Sequence, residues 1–258
     1  MRIGVSIAIL AGCVVLAGAS GSGAETQGSI RAYLVHHGEP AFQKLAQEFE
    51  KDTGIHVDVA FECRSGMLKL ITTQGDGDVC TVSGQENVDQ IEKAGLAVGP
   101  GVRIGEVIPV IEVLKGNPKG IRSLADLARP GVRVVLCARR GCMGKVADQI
   151  LAKAHLSEKV EPNVTRFLGE KTTAKAVDGE KTDACVVWSW TTLEVGPDKY
   201  DMVPIPDEHN VIEPVCAFVL KSAKNRAGAE KFTAFLQSDR AKAVLAEVGV
   251  GRKAAAAR

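Results

Sequence analysis

Cysteine and histidine side chains are the first residues in this sequence that could do chemistry. Six cysteines follow residue 24, and His36 and His37 are adjacent. The six are Cys63, Cys80, Cys137, Cys142, Cys185 and Cys216. Thiolates and imidazoles are the ligands that thiophilic metals and trivalent metalloids such as arsenite prefer. One interpretation is therefore a soft-ligand site that uses His37, Cys63 and Cys142 as metal ligands.

The same cysteines also have a structural interpretation. In an oxidising compartment, an even number of cysteines usually indicates disulfides. Cys137 and Cys142 would bridge across the turn between them, and Cys63 with Cys80 is a second candidate pair. Cys185 lies in an apolar run, where it would act as a small hydrophobic residue. Six cysteines allow about 15 pairings, so the sequence leaves both interpretations open.

Other chemistries lack a signature in the sequence. There is no glycine-rich phosphate loop, no HExxH motif and no hydrolase motif around any cysteine. The 32 basic and 31 acidic residues nearly cancel and form no basic stripe, which argues against nucleic-acid binding. We therefore expect a protein that is not an enzyme and needs no cofactor. A nucleophilic Cys–His pair is the enzymatic alternative.

The first 24 residues have the anatomy of a secretory signal peptide. Met1-Arg2 carries the positive charge, residues 3–16 are apolar and uncharged, and residues 17–24 contain two small-x-small cleavage patterns. The apolar stretch is short for a transmembrane span. The run that ends at Cys13 is similar to a lipobox, so a lipid anchor is the alternative to soluble release. Either way, we expect a periplasmic or otherwise extracytoplasmic protein.

The rest of the chain alternates between strand and helix patterns. Phe42, Leu45, Ala46 and Phe49 fall at i, i+3, i+4 and i+7, which predicts an amphipathic helix that ends at Gly54. Repeated strand–helix units predict an α/β fold with two mostly parallel sheets flanked by helices. A ligand would bind at the carboxyl ends of the strands. The predicted strands cover residues 30–35, 55–61, 79–82, 132–137, 163–167, 184–188 and 215–220. Residues 107–113 form a further apolar run, and residues 203–206 form an extended edge segment.

Several stretches resemble a known family. They include residues 42–57 (FQKLAQEFEKDTGIHV), 61–71 (FECRSGMLKLI), 203–220 (VPIPDEHNVIEPVCAFVL) and 227–250. In this order they resemble the type II periplasmic solute-binding proteins, most closely the molybdate/tungstate branch of the ABC-transporter binding proteins. The resemblance covers nearly all of the chain beyond the leader.

This resemblance implies a two-lobed fold with the ligand in the interlobe cleft. Lobe 1 would hold residues 28–105 plus 209–250, lobe 2 would hold residues 106–208, and residues 251–258 would form a flexible tail. The lobes would close on the ligand by hinge motion. The implied partners are a small solute and the membrane permease of an ABC importer, and we expect a monomer.

The resemblance also places four turns at the cleft. Their candidate ligand-binding residues are His36 and His37 in the first, Cys63, Ser65 and Gly66 in the second, Arg139, Arg140, Cys142 and Met143 in the third, and Trp188 and Ser189 in the fourth. Ser65 aligns with a donor serine of the family, and one of the two arginines would contact the solute. The alternatives are a solvent-exposed histidine, a plain helix cap, a solvated arginine pair and a tryptophan that only packs in the core.

The sequence leaves two kinds of solute open. Amide and hydroxyl donors at helix N-termini, with arginine nearby, favour a tetrahedral oxyanion such as molybdate or tungstate. Thiolates at the same cleft would repel an anion and would favour copper, zinc or arsenite instead. A small organic solute is a further alternative.

Overall fold

The computed structural model describes residues 28–63 and 66–252. The predicted leader with Cys13, residues 64 and 65 with the candidate donor Ser65, and residues 253–258 of the tail lie outside this part. The strands are β1 (Ser29–Val35), β2 (His56–Glu62), β3 (Val79–Ser83), β4 (Val102–Val107), β5 (Pro109–Leu114), β6 (Val134–Cys137), β7 (Val164–Phe167), β8 (Ala184–Trp188), β9 (Tyr200–Pro204) and β10 (Glu213–Val219). The α-helices are α1 (Glu39–Thr53), α2 (Met67–Gln74), α3 (Gln85–Lys93), α4 (Cys142–Lys153), α5 (Ser157–Val160), α6 (Glu170–Lys175), α7 (Ser189–Val195), α8 (Arg226–Leu236) and α9 (Asp239–Glu247).

These strands form two five-stranded sheets. The first has the order β2-β1-β3-β10-β4 and the second has the order β7-β6-β8-β5-β9. Each sheet has a parallel core, formed by β1 with β2 and β3 and by β6 with β7 and β8. Two further strand pairings in each sheet are antiparallel. The predicted α/β fold with two helix-flanked sheets is confirmed.

Each sheet and the helices that pack on it form one lobe. Lobe 1 is the first sheet with α1, α2, α3, α8 and α9, and lobe 2 is the second sheet with α4, α5, α6 and α7. Helix α1 shows why the segments fold this way: Phe42, Leu45, Ala46 and Phe49 are all buried, as their spacing predicts. The helix ends at Gly54, whose φ of 71° permits the left-handed turn.

The chain passes between the lobes at two strand connections. Residues 107–113 form one apolar run in the sequence, but the structure divides this run between β4 in the first sheet and β5 in the second, with Ile108 between them. The carbonyl of Ile108 accepts a 2.8 Å hydrogen bond from the Ser189 amide. The second connection links β9 to β10. The apolar run therefore spans a crossover, where a continuous hydrophobic pattern hides a change of sheet.

The C-terminal segment makes a further contact between the lobes. Val250 forms an antiparallel bridge with Val107, and the Gly249 carbonyl accepts a 3.1 Å hydrogen bond from the Ser189 hydroxyl. Arg252 then pairs with Glu106 at 3.0 Å, near the first strand connection, and with Asp207 at 2.7 Å, within the second. We call residues 249–252 the C-terminal tie.

No helix within the described ranges combines the length and the apolar character needed to cross a membrane.

Candidate functional site

A cavity of about 640 Å³ lies between the two lobes, and both lobes supply its walls. Lobe 1 contributes the turn after β1, the end of β2 and the turn between β3 and α3. Lobe 2 contributes the start of α4, its next turns and the end of β8. The lobe 1 side includes His36, His37, Cys63, Ser83, Glu86 and Asn87, and the lobe 2 side includes Arg140, Cys142, Lys145, Glu170, Trp188 and Trp190.

Three long helices begin at this cavity without a side-chain cap. Helices α1, α3 and α4 follow Gly38, Gly84 and Gly141, and no side chain in the described part of the chain caps these N-termini by a hydrogen bond. Helices α8 and α9 begin away from the cavity and are capped by the side chains of Asn225 and Ser238. Since the first amides of a helix lack partners within the helix, an uncapped N-terminus attracts an anion.

An aromatic cluster joins the lobes at the cavity wall. The ring of His37 stacks on Trp190 with centroids 5.5 Å apart and an interplanar angle of 25°. The ring of His36 meets the same indole edge-on at 5.7 Å. Because the histidines belong to lobe 1 and Trp190 to lobe 2, any change in lobe angle must alter these contacts.

The two adjacent arginines occupy different environments. The guanidinium of Arg139 pairs with Asp148 at 3.2 Å and with Glu161 at 2.6 Å on the surface of lobe 2, and these carboxylates raise its pKa. Arg140 lines the cavity, and no carboxylate of the described residues forms a salt bridge with it. The structure thus places Arg140, and not Arg139, where a solute could contact it.

The other predicted residues also divide into those that line a cavity and those that do not. Trp188 lines the cavity, and Met143 is buried beside an adjoining one. Ser189 is buried, and its hydroxyl donates to the C-terminal tie instead of lining the cavity. Gly66 is the N-cap of α2, and a Cβ there would lie 2.6 Å from the Glu62 side chain.

The cysteines do not form the predicted disulfides. Cys80 and Cys137 are thiols, so neither a Cys63–Cys80 nor a Cys137–Cys142 bridge is present. Cys80 is fully buried, and the Cys137 thiol lies 3.3 Å from the Thr173 hydroxyl. Burial raises the pKa of both thiols, which keeps them uncharged at neutral pH.

Cys63 and Cys142 both line the interlobe cavity, but they do not complete a metal site. No group of three or more histidine, cysteine, aspartate or glutamate side chains in the described part of the chain could hold a metal ion. The proposed set of His37, Cys63 and Cys142 therefore does not come together as ligands around one point.

Sequence reasoning missed the turn between β3 and α3. Ser83, Glu86 and Asn87 line the cavity there, and the Asn87 amide donates a 2.7 Å hydrogen bond to the Ser83 carbonyl. The available signal was positional, since Ser83-Gly84 follows a buried strand and precedes a helix as the other cleft turns do. Glu213, at the start of β10, also lines the cavity and was not predicted.

The cavity carries charges of both signs. Arg140 and Lys145 face the same space as Glu86, Glu170 and Glu213. An anion would therefore be held mainly by directed N–H donors and by a local cation, and not by a uniformly positive field.

The two helix-flanked sheets form two lobes with a cavity between them. The chain belongs to the family of bacterial extracellular solute-binding proteins, whose model matches residues 34–250. The molybdate-binding protein ModA of Mycobacterium tuberculosis is 29% identical over 257 residues, which cover 96% of this chain and 96% of that protein.

Two solved structures have the same fold. The substrate-binding domain of a putative molybdenum ABC transporter from Clostridium difficile matches with a TM-score of 0.78 at 19% identity and covers 86% of this chain and 97% of its own. The periplasmic molybdate-binding protein of Azotobacter vinelandii matches with a TM-score of 0.61 at 16% identity and covers 85% of this chain and 97% of its own.

Proposed function

We propose that this protein is the substrate-binding component of an ABC importer and that it binds a small tetrahedral oxyanion, such as molybdate or tungstate, in the interlobe cavity. The observation that carries the proposal is the convergence of three uncapped helix N-termini and Arg140 on one cavity. The oxygens of a dehydrated oxyanion need N–H and O–H donors on all sides, and both lobes supply them. The similarity to ModA supports the choice of anion.

Binding would be coupled to closure of the two lobes. An anion held by the α1 and α3 N-termini of lobe 1 and by Arg140 and the α4 N-terminus of lobe 2 stabilises the closed form more than the open one. The two lobes, each a sheet with the helices that pack on it, would move as units. The closed form would deliver the solute to the membrane permease as a monomer, and the solute would leave chemically unchanged.

The family and the N-terminal sequence both support a location outside the cytoplasm. We propose that residues 1–24 are a signal peptide and that the mature protein is released in soluble form. N-terminal sequencing of the exported protein tests the cleavage site, and labelling with a radioactive fatty acid tests the alternative of a lipid on Cys13. A chain with its leader intact in the cytosolic fraction would contradict the proposal.

A soft ligand is the competing solute, because Cys63 and Cys142 lie on the same cavity as His36 and His37. The lack of a three-ligand group in the described residues argues against it.

A thermal-shift screen tests the two solute classes together. The ligands are molybdate, tungstate, sulfate, phosphate, arsenite, Cu(I) and Zn(II), and a free-thiol count is made on the same sample. A ligand at 100 times its Kd stabilises the folded state by about 2.7 kcal/mol. We expect this shift with molybdate or tungstate, together with compaction in small-angle scattering. Stabilisation by arsenite or Cu(I) alone would refute the oxyanion proposal.

A further inference from the structure

A second cavity of about 490 Å³ opens from the interlobe cavity. The two share His36, Arg140, Gly141, Cys142, Glu170 and Trp190. We call the second space the side cavity. It runs between the start of α4 and the start of α6, and its other walls include Met143, Leu168 and Thr172.

The side cavity belongs almost entirely to lobe 2. Among the residues that the structure describes, His36 is its one lining residue from lobe 1, and the rest lie between Cys137 and Trp190. Closure of the lobes narrows the interlobe cavity, whose walls come from both lobes, but it leaves the lobe 2 walls of the side cavity at the same mutual distances. The side cavity therefore persists in the closed form.

An inorganic oxyanion does not need this space. An anion with four oxygens occupies about the volume of four water molecules, roughly 120 Å³. The interlobe cavity alone exceeds this several-fold, and the side cavity adds about 490 Å³ that a compact anion at Arg140 would leave filled with water.

One part of the side-cavity wall suits a weakly polar group. The buried thioether of Met143, the Trp190 indole and the thiol of Cys137 line this part, while Arg140, Glu170 and Lys171 line the rest together with polar backbone and Thr172. Leu168 stands at the edge with 59% of its surface exposed, and covering it would gain free energy. Arg140 lies where the two cavities meet, so an anionic head there directs an attached substituent into either space.

We propose that the side cavity binds the organic substituent of the solute, so that the natural solute is a tetrahedral oxyanion head on a short organic tail. Phosphonates, phosphate monoesters and sulfonates share this chemistry. The proposal rests on the proposed function, since the head occupies the interlobe cavity and the same importer component carries the solute.

Calorimetric titration with homologous ligands tests the proposal. The series runs from phosphate through methyl-, ethyl-, propyl- and butylphosphonate, and the matching alkylsulfonates separate the two head groups. Each methylene that enters the side cavity increases affinity about fourfold. We expect this rise along at least one series in the unchanged protein.

A blocking variant and a matched control locate the tail. Thr172→Trp fills the side cavity from an exposed helical position, and we expect it to abolish the dependence on tail length. Thr165→Trp makes the same change at an exposed position of β7, an edge strand, outside the side-cavity lining, and we expect the full dependence to remain.

The outcomes separate this proposal from the proposed function. If affinity stays flat along both series while molybdate or phosphate still binds, the side cavity does not bind a tail and the inorganic oxyanion assignment stands. If Thr172→Trp and Thr165→Trp leave the same dependence on tail length, the tail binds elsewhere and the proposal fails. If no oxyanion of either kind binds, both proposals fail.

Discussion

Replacing Gly249 by alanine should loosen the contact between the C-terminal tie and lobe 2. Gly249 has a φ of +82°, and a Cβ at this position would lie 2.6 Å from the amide nitrogen and 2.7 Å from the Cα of Trp190. Both atoms belong to backbone, so neither can rotate away as the end of a side chain would. The variant must therefore shift α7 or the tie.

The expected cost has two parts. The left-handed φ costs an L-residue about 1–2 kcal/mol. Crowding of a packed backbone adds about 1–3 kcal/mol. Gly75→Ala is the matched control, because Gly75 also has a positive φ, of +65°, but an added Cβ meets nothing within 4 Å. We expect Gly249→Ala to destabilise the protein by about 1–3 kcal/mol more than Gly75→Ala.

Urea unfolding of the two variants measures this difference, and titration with molybdate adds a second readout. Displacement of α7 moves Trp190 away from its stack on His37, so Gly249→Ala should also weaken binding while Gly75→Ala should not. Equal losses of stability in the two variants, with equal affinities, would refute the reasoning, since they would show that the close approach to Trp190 relaxes without cost.

Three further predictions concern single side chains. Arg140→Ala should weaken molybdate binding by about 10- to 100-fold, which is the effect of losing a hydrogen bond to a charged group. In the same titration, the affinity of Arg139→Ala should stay within about threefold of the unchanged protein, because Arg139 pairs with surface carboxylates. Glu86→Gln should strengthen anion binding, and less so in high salt, because a carboxylate leaves the cavity wall. Burial raises the pKa of the Glu112 carboxyl. The protonated carboxyl therefore contributes to stability at pH values below the ordinary glutamate pKa of about 4.3, and this contribution is lost as the pH rises through the raised pKa. As the pH rises above about 4.3, the urea midpoint of the unchanged protein should therefore fall relative to the midpoint of Glu112→Gln. A difference between the two midpoints that stays constant from pH 4 to 8 would exclude this account.

Local sequence patterns were sufficient to predict the fold class and most of the elements, although they did not predict β4 or β9 as strands. The spacing of Phe42, Leu45, Ala46 and Phe49 depends only on helix periodicity, and the structure buries all four. Alternating strand and helix patterns likewise predicted two helix-flanked sheets, because a parallel pair requires a crossover between its strands.

The missed features depend on residues that are distant in the sequence. Arg139 and Arg140 look equivalent in the chain, and what separates them is Asp148 and Glu161, which hold one guanidinium on the surface. The split of the apolar run at Ile108 depends on its neighbours in two different sheets. Such partners have no local signature, so they could not be read from a single sequence.

The buried thiols have a consequence for how this protein reaches its folded state. Cys80, Cys185 and Cys216 are buried as thiols and line neither cavity, and under the proposed export all three would be exposed in the newly translocated, unfolded chain. In an oxidising compartment, enzymes that form disulfides would compete with folding for them. Once the sheets assemble, oxidants no longer reach these sulfurs, so the rate of folding determines the yield of native protein. Slow-folding variants should therefore accumulate as cross-linked species that a reductant rescues, even where the native state loses little stability.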